Sequence, residues 1–162
     1  MAVDFAHTFE DFYRSDRDRL AVGLAAALGD SDLATEAVDE GMARAYQRWS
    51  KVGTYDNPGG WVYRVARNWA ISRLRRRRFL SDSPLPEREF TMAPGHHDLL
   101  AGLQALPEPQ RQVVVLKYLL GWSQNDIASS LNLRPGTVKS RLGRALAQLR
   151  IDLTDSTEEE RS

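Results

Sequence analysis

Thr137, Ser140, Arg141 and Arg144 recur at i, i+3, i+4 and i+7, a spacing that puts two hydroxyls and two guanidiniums on one polar helix face. From 133 to 151 there is no acidic residue, while Arg134, Lys139, Arg141, Arg144 and Arg150 are basic. Val138, Leu142, Ala145, Leu146 and Leu149 recur at helical spacing on another face, which is apolar. Just upstream, Ser123 can cap a short helix, with Asp126 three residues on as a weak capping box. Ile127, Ala128 and Leu131 supply its inward face, Asn132 stands where it should stop, and Arg134-Pro135-Gly136 restarts the chain. A short helix, a tight turn, and a second helix that is apolar behind and cationic in front describe helix-turn-helix recognition in a DNA major groove. A helical hairpin with a merely solvated charged side is the competing account. The absence of counter-charge, and small Thr and Ser side chains that let the backbone approach closely, decide for DNA contact.

A second set of such residues lies in 61–80, which holds seven Arg and no acid. Arg64, Arg67, Arg73 and Arg75–Arg78 are interleaved with Trp61, Val62, Val65, Trp69, Ile71 and Leu74. Upstream, residues 50–57 break the pattern as a loop containing Gly53, Tyr55, Asp56 and Asn57. Guanidiniums bind a phosphate backbone and aromatic rings stack on unpaired bases, so this pattern suits single-stranded nucleic acid. Trp61 and Trp69, eight residues apart, can instead both face the core. Two other clusters point to no reaction. Asp39 and Glu40 are adjacent, so on a helix their carboxylates diverge and do not share a metal. His96-His97-Asp98 has no further His or Cys nearby and reads as a helix start, since a metal site needs several convergent ligands. No cofactor, metal or catalytic residue is expected.

Helices must position these groups. The chain has 162 residues, 22 basic against 22 acidic side chains, and no Cys, which rules out disulfides and thiolate metal sites. The neutral total hides a basic segment in each half. No stretch alternates as a strand would. Thr8 with Asp11 can open a first helix carrying Phe9, Phe12, Tyr13, Leu20, Leu24 and Leu28, ended by Gly29. Asp30 or Ser31 caps a second, with Leu33, Ala37, Val38, Met42, Ala45, Tyr46 and Trp49 as its apolar stripe. Asn57-Pro58 starts a third, to about residue 79. Residues 81–95, with three Pro and no periodicity, read as a linker. A short helix over 98–106 follows, then one over 108–120 with Val113, Leu116, Tyr118 and Leu119 as core, ended by Gly121. The expected fold class is therefore all-α: two small helical domains, 1–80 and 96–152, on a flexible linker, with an acidic tail at 153–162. Each is small for a single stable core, so partner contacts matter to both.

The runs Trp61-Val62-Tyr63-Arg64-Val65-Ala66-Arg67-Asn68 and Arg75–Arg78, then Leu106-Pro107-Glu108 with Arg111, Ile127-Ala128, and Gly136-Thr137-Val138-Lys139-Ser140-Arg141-Leu142, together resemble the extracytoplasmic-function group of sigma factors in the sigma-70 family. The resemblance covers nearly the whole chain. It implies a transcription initiation subunit with a promoter-melting N-terminal domain and a helix-turn-helix C-terminal domain. On matching positions, Thr137, Lys139, Ser140, Arg141 and Arg144 would sit at the −35 element, with phosphate contact from Lys139, Arg144 and Arg134. The loop from Lys51 through Tyr55, Asp56 and Asn57 would capture a base flipped from the −10 element. Trp61, Arg64, Arg67, Asn68, Arg75, Arg76, Arg77 and Arg78 would hold the strands around it. The helix over 32–49 would dock on polymerase through Asp39, Glu40, Met42 and Arg44. Asp39-Glu40-Gly41-Met42 departs from the usual Gln-Glu and aromatic there, and Gly41 weakens helix propensity by about 1 kcal/mol against Ala.

The partners so implied are core RNA polymerase (clamp helices of the largest subunit, flap of the second), promoter DNA and, in many members, an anti-sigma protein. A stand-alone helix-turn-helix regulator is the alternative; it leaves 61–78 without a role. A DNA-acting enzyme lacks convergent carboxylates. The polar N-terminus is unlike a signal peptide and no apolar run approaches a membrane span, so a soluble, cytoplasmic protein is expected, associated with the nucleoid in the holoenzyme and without a further C-terminal domain.

Overall fold

The computed structural model describes residues 5–80 and 97–159, and the side-chain surroundings of 8–80 and 101–150. The described residues form helices only, and the chain divides into two compact units, Met1–Glu89 and Phe90–Ser162. The proline-bearing stretch expected as a linker lies outside the described residues.

The first unit contains α1 (Phe5–Leu28), α2 (Ser31–Gln47), the single turn α3 (Trp49–Val52) and α4 (Pro58–Leu80). α1 begins ahead of the Thr8 start expected from sequence. It ends as local chemistry dictates: Gly29 takes φ 73°, which only a residue without Cβ adopts freely. The Asp30 carboxylate then accepts from the Leu33 amide at 3.0 Å and caps α2. α3 replaces the first part of the loop expected over 50–57. Asn57 caps α4, its Oδ1 accepting from the Gly60 amide at 3.1 Å, with Pro58 as first residue.

α1 packs against α2, and α4 packs against both. Leu20, Leu24, Leu33, Ala37, Val38, Met42, Val62, Tyr63 and Ala66 close the core. Tyr63, wholly buried, takes the role that the tryptophan pattern had suggested for Trp61 and Trp69, which are only half-buried. An aromatic group locks the end of the bundle. Phe12 stacks on Trp49 at 5.1 Å between ring centroids, and Phe9 meets Trp49 and Tyr46 edge-on at 5.3 and 5.0 Å. Gly41 sits where α2 crosses α4. A Cβ there would stand 3.0 Å from the Val62 carbonyl oxygen and 3.1 Å from its Cγ1. The weak helix former is thus a packing device, not part of a docking surface.

The second unit contains α5 (His97–Ala105), α6 (Glu108–Val114), a π-helical turn over Val115–Leu119, α7 (Gln124–Leu131) and α8 (Pro135–Glu159). Arg111 ties the α5–α6 corner, donating to the Leu106 carbonyl at 3.1 Å and to Gln104 at 3.3 Å. Burial lowers its pKa, against the opposing charge of Glu108. Where one helix over 108–120 was expected, the Leu120 amide reaches back five residues to the Val115 carbonyl at 3.2 Å. Tyr118, expected in the core, is 58 % exposed, while Val113 and Leu116 are buried; standing two residues from Leu116, it lies on the opposite side of the helix. Gly121, at φ 69°, ends the segment. α8 runs on through Glu159, so most of the expected acidic tail continues the helix.

Two glycines separate packing from propensity. Gly41→Ala should lower the melting temperature, because overpacking of about 1–3 kcal/mol opposes a propensity gain near 1 kcal/mol. Gly143, exposed in α8 with nothing within 4 Å of a Cβ, has only the gain, so Gly143→Ala should raise it. Thermal melts of both variants check the pair, and a stabilised Gly41→Ala would mean that α4 is free to shift away from α2.

Candidate nucleic-acid interface

Two helical faces concentrate the residues singled out in sequence. In the second unit, α7 and α8 form the turn that aims α8. The Ser123 hydroxyl accepts from the Asp126 amide at 3.1 Å. At the other end Asn132 adopts φ 55° and ψ 48°, the left-handed conformation that stops a helix. The Leu133 amide then returns to the Ala128 carbonyl at 2.8 Å. Arg134 opens α8: its carbonyl accepts from Thr137 and Val138, and Pro135 occupies the position where a missing amide proton does no harm. Val138, Leu142, Ala145 and Leu149 are buried against α5, α6 and α7. That leaves Arg134, Ser140 and Arg144 exposed and Thr137 and Arg141 half-buried along the front, with Lys139 exposed on the flank of α8. The Ser140 hydroxyl donates to the Gly136 carbonyl at 3.0 Å, so in this rotamer it offers an approaching group its lone pairs. The helix dipole adds partial positive charge at the α8 N-terminus.

In the first unit the front of α4 is the face opposite Gly59, Val62, Tyr63, Ala66 and Ala70. Trp61, Arg64, Asn68 and Arg75 fall within about 60° of arc there, at roughly 100° per residue. Arg67 lies at the edge of this face, half-buried. The run from Arg75 to Arg78 does not act as one block. Successive residues diverge by about 100°, so Arg77 follows the buried side, while Arg75, Arg76 and Arg78 are exposed. Arg73 is engaged within the unit, its guanidinium 4.8 Å over the Trp69 ring and 3.9 Å from Glu36. In the preceding loop Lys51, Tyr55 and Asp56 are exposed. Asn57 is different: its oxygen serves as the α4 cap and its amide nitrogen is buried without a hydrogen-bond partner in the protein.

The residues expected to dock on polymerase divide. Met42 is 2 % exposed in the core, because α1 and α4 pack against that side of α2, and it is unavailable to any partner. Asp39, Glu40 and Arg44 do reach the surface of α2. The Arg44 Nε donates to Glu40 at 3.0 Å, and Arg17 of α1 grips Asp39 with two nitrogens at 2.9 and 3.1 Å. That hydrogen bond to Asp39, the largest influence, raises the Arg17 pKa further. Sequence reasoning missed Arg17, which is 22 residues from its partner and gives no local signal. Among the described residues no three His, Asp or Glu converge as metal ligands, and no helix is long and apolar enough to cross a membrane. The expected His96-His97-Asp98 helix start lies outside the described residues for His96, and His97 opens α5.

Comparison with known proteins places both faces in matched segments. A family model described as sigma-70 region 2 matches residues 12–79, and one described as sigma-70 region 4 matches 96–149. An extracytoplasmic-function RNA polymerase sigma factor, SigL of Mycobacterium tuberculosis, is 33% identical over 138 residues, 78% of each chain. The RNA polymerase sigma-E factor of Streptomyces coelicolor is 32% identical over 152 residues, covering 90% of this chain and 85% of its own. Among solved structures, the sigma factor RpoE of Bartonella quintana, in complex with the anti-sigma factor NepR, has the same fold, with a TM-score of 0.78 at 24% identity over 90% of this chain and 96% of that one.

The α7–α8 turn carries its own test. Asn132→Ala should lower stability by about 1 kcal/mol, since a Cβ without a local hydrogen-bonding side chain is strained at positive φ. Asn132→Gly should hold stability or raise it slightly. Urea denaturation of the three proteins reads the difference.

Proposed function

The chain belongs to the extracytoplasmic-function group of the sigma-70 family, and from that membership we propose that it binds core RNA polymerase and directs it to promoters through two separate DNA contacts. The observation that carries this reading is the pair of acid-free helical fronts, on α4 and α8, each anchored from behind by its own core. A stand-alone helix-turn-helix regulator needs only the second.

The front of α8 enters the major groove of the −35 element. Thr137, Ser140 and Arg141 stand nearest its N-terminal end and take the base edges; Arg134, Lys139 and Arg144 take phosphates. The front of α4 with the preceding loop takes the −10 element once its strands part. Tyr55, with Lys51 and Asp56 beside it, offers a ring to an unpaired base, while Trp61, Arg64, Arg67, Asn68 and the exposed Arg75, Arg76 and Arg78 line the strand's course. Asn57 contributes by fixing the start of α4 with its oxygen rather than by contacting a base, and Arg77 by flanking charge. No bond is made or broken by these groups: melting is driven by binding, each captured base offsetting a stacking loss of a few kcal/mol. Asp39, Glu40 and Arg44, with Arg17 holding Asp39 in place, form the polymerase-docking surface. The clamp helices are its partner, and the polymerase flap that of the second unit. An anti-sigma protein belongs to this reading too, since the Bartonella chain of the same fold was solved with one. The protein works in the cytoplasm, at the nucleoid.

Run-off transcription with core polymerase on host genomic fragments tests the whole: specific starts are expected only when both proteins are present, and none at any promoter would overturn the reading. Arg64→Ala combined with Arg67→Ala should reduce permanganate reactivity of the melted bases while leaving duplex binding nearly intact. Arg144→Ala should weaken binding to the upstream element and lower the salt slope by about one unit, the signature of one lost phosphate contact.

A further inference from the structure

Phe79 is 91 % exposed, more than any other large apolar side chain among the described residues. It follows Trp61 by five turns of α4, so the two rings share one azimuth about 27 Å apart along the axis, at a rise of about 1.5 Å per residue. Arg64, Asn68 and Arg75 lie between them on the same front. Arg75 and Arg76, four and three residues back, flank the Phe79 ring, and Arg78 adjoins it; all three are exposed.

Whatever covers Phe79 must accept a flat ring among three guanidiniums. An apolar protein groove would have to strip water from those cations without replacing it. A duplex offers charge but no open base face. An unpaired strand offers both, phosphates to the guanidiniums and a π-face to the ring. We infer that Phe79 is a second stacking platform for the melted promoter strand, at the opposite end of the α4 front from Trp61. The inference rests on the reading of α4 as the single-strand surface, and it extends that surface over the full length of the helix.

The test uses holoenzyme on the promoter to which its own transcripts map, with the melted segment held open by mismatched bases, and follows complex lifetime after heparin challenge. Phe79→Ala and Phe79→Leu should each shorten the lifetime about tenfold, the loss expected for one stacked base, whereas Phe79→Tyr should stay within about twofold. Leucine keeps the apolar volume but lacks the π-face. Full lifetime in Phe79→Leu with loss in Phe79→Ala would identify an apolar protein contact instead, and unchanged lifetimes throughout would remove Phe79 from the strand's path. A lowered melting temperature of the free Phe79→Ala chain would place the ring against the protein's own residues, which equally overturns the inference. If wild-type holoenzyme fails to hold the open template, the underlying assignment of α4 falls; if it holds it and the variants match it, only the role of Phe79 does.

Discussion

A helix that must keep a row of cations in water can be fixed only by its other side, and both working helices of this protein are held that way. α4 is gripped where the Val62 carbonyl approaches α2 at Gly41, a gap that admits no Cβ without displacement. α8 is gripped by Val138, Leu142, Ala145 and Leu149 in the second unit's core. The strength of the front therefore depends on the quality of the back. Guanidiniums on a loosely seated helix would meet phosphates at random distances, and an ion pair in water contributes little unless its geometry is preset.

This arrangement explains why the sequence was readable at some points and opaque at others. Helix ends were legible because their causes are local. Gly29 and Gly121 take positive φ, Asp30, Asn57 and Ser123 cap, and Asn132 turns left-handed, all within a few residues of the signal. The cationic fronts were legible too, since a helical period and the absence of acids are properties of the string itself. The misses have different causes. The helical period placed Met42 in the apolar stripe of α2, where α1 and α4 do close over it, and only the resemblance carried it to a docking surface. Tyr118 was misplaced by its apolar type, since two residues from Leu116 it stands on the opposite side of the helix, and Tyr46, 54 % exposed, serves as a wall for Phe9 rather than as filling. The Arg17–Asp39 pair links two helices and leaves no mark on either alone.

The dense arginine run shows the same lesson within a single helix. Read as a string, Arg75 to Arg78 is one block of charge. Wound into α4, it becomes a collar, with one member turned toward the buried side and three directed outward at different angles. A collar attracts a polyanion from several directions, whereas a stripe such as Trp61, Arg64, Asn68 and Arg75 gives it a path to follow. On the proposed reading the collar would attract and the stripe would guide, with Arg75 common to both.

α8 is continuous from Pro135 to Glu159, so the length of the helix sets the distance between its cationic beginning and its last acidic residues. Twenty residues separate Lys139 from Glu159, roughly 30 Å at about 1.5 Å per residue. The Debye length at cellular ionic strength is only about 8 Å. Across that distance mobile ions erase the field of one end before it reaches the other, and a phosphate at the first turn is insensitive to the carboxylates at the last. The molecule's isoelectric balance is then a matter for solubility, while attraction to DNA is set within single turns of helix.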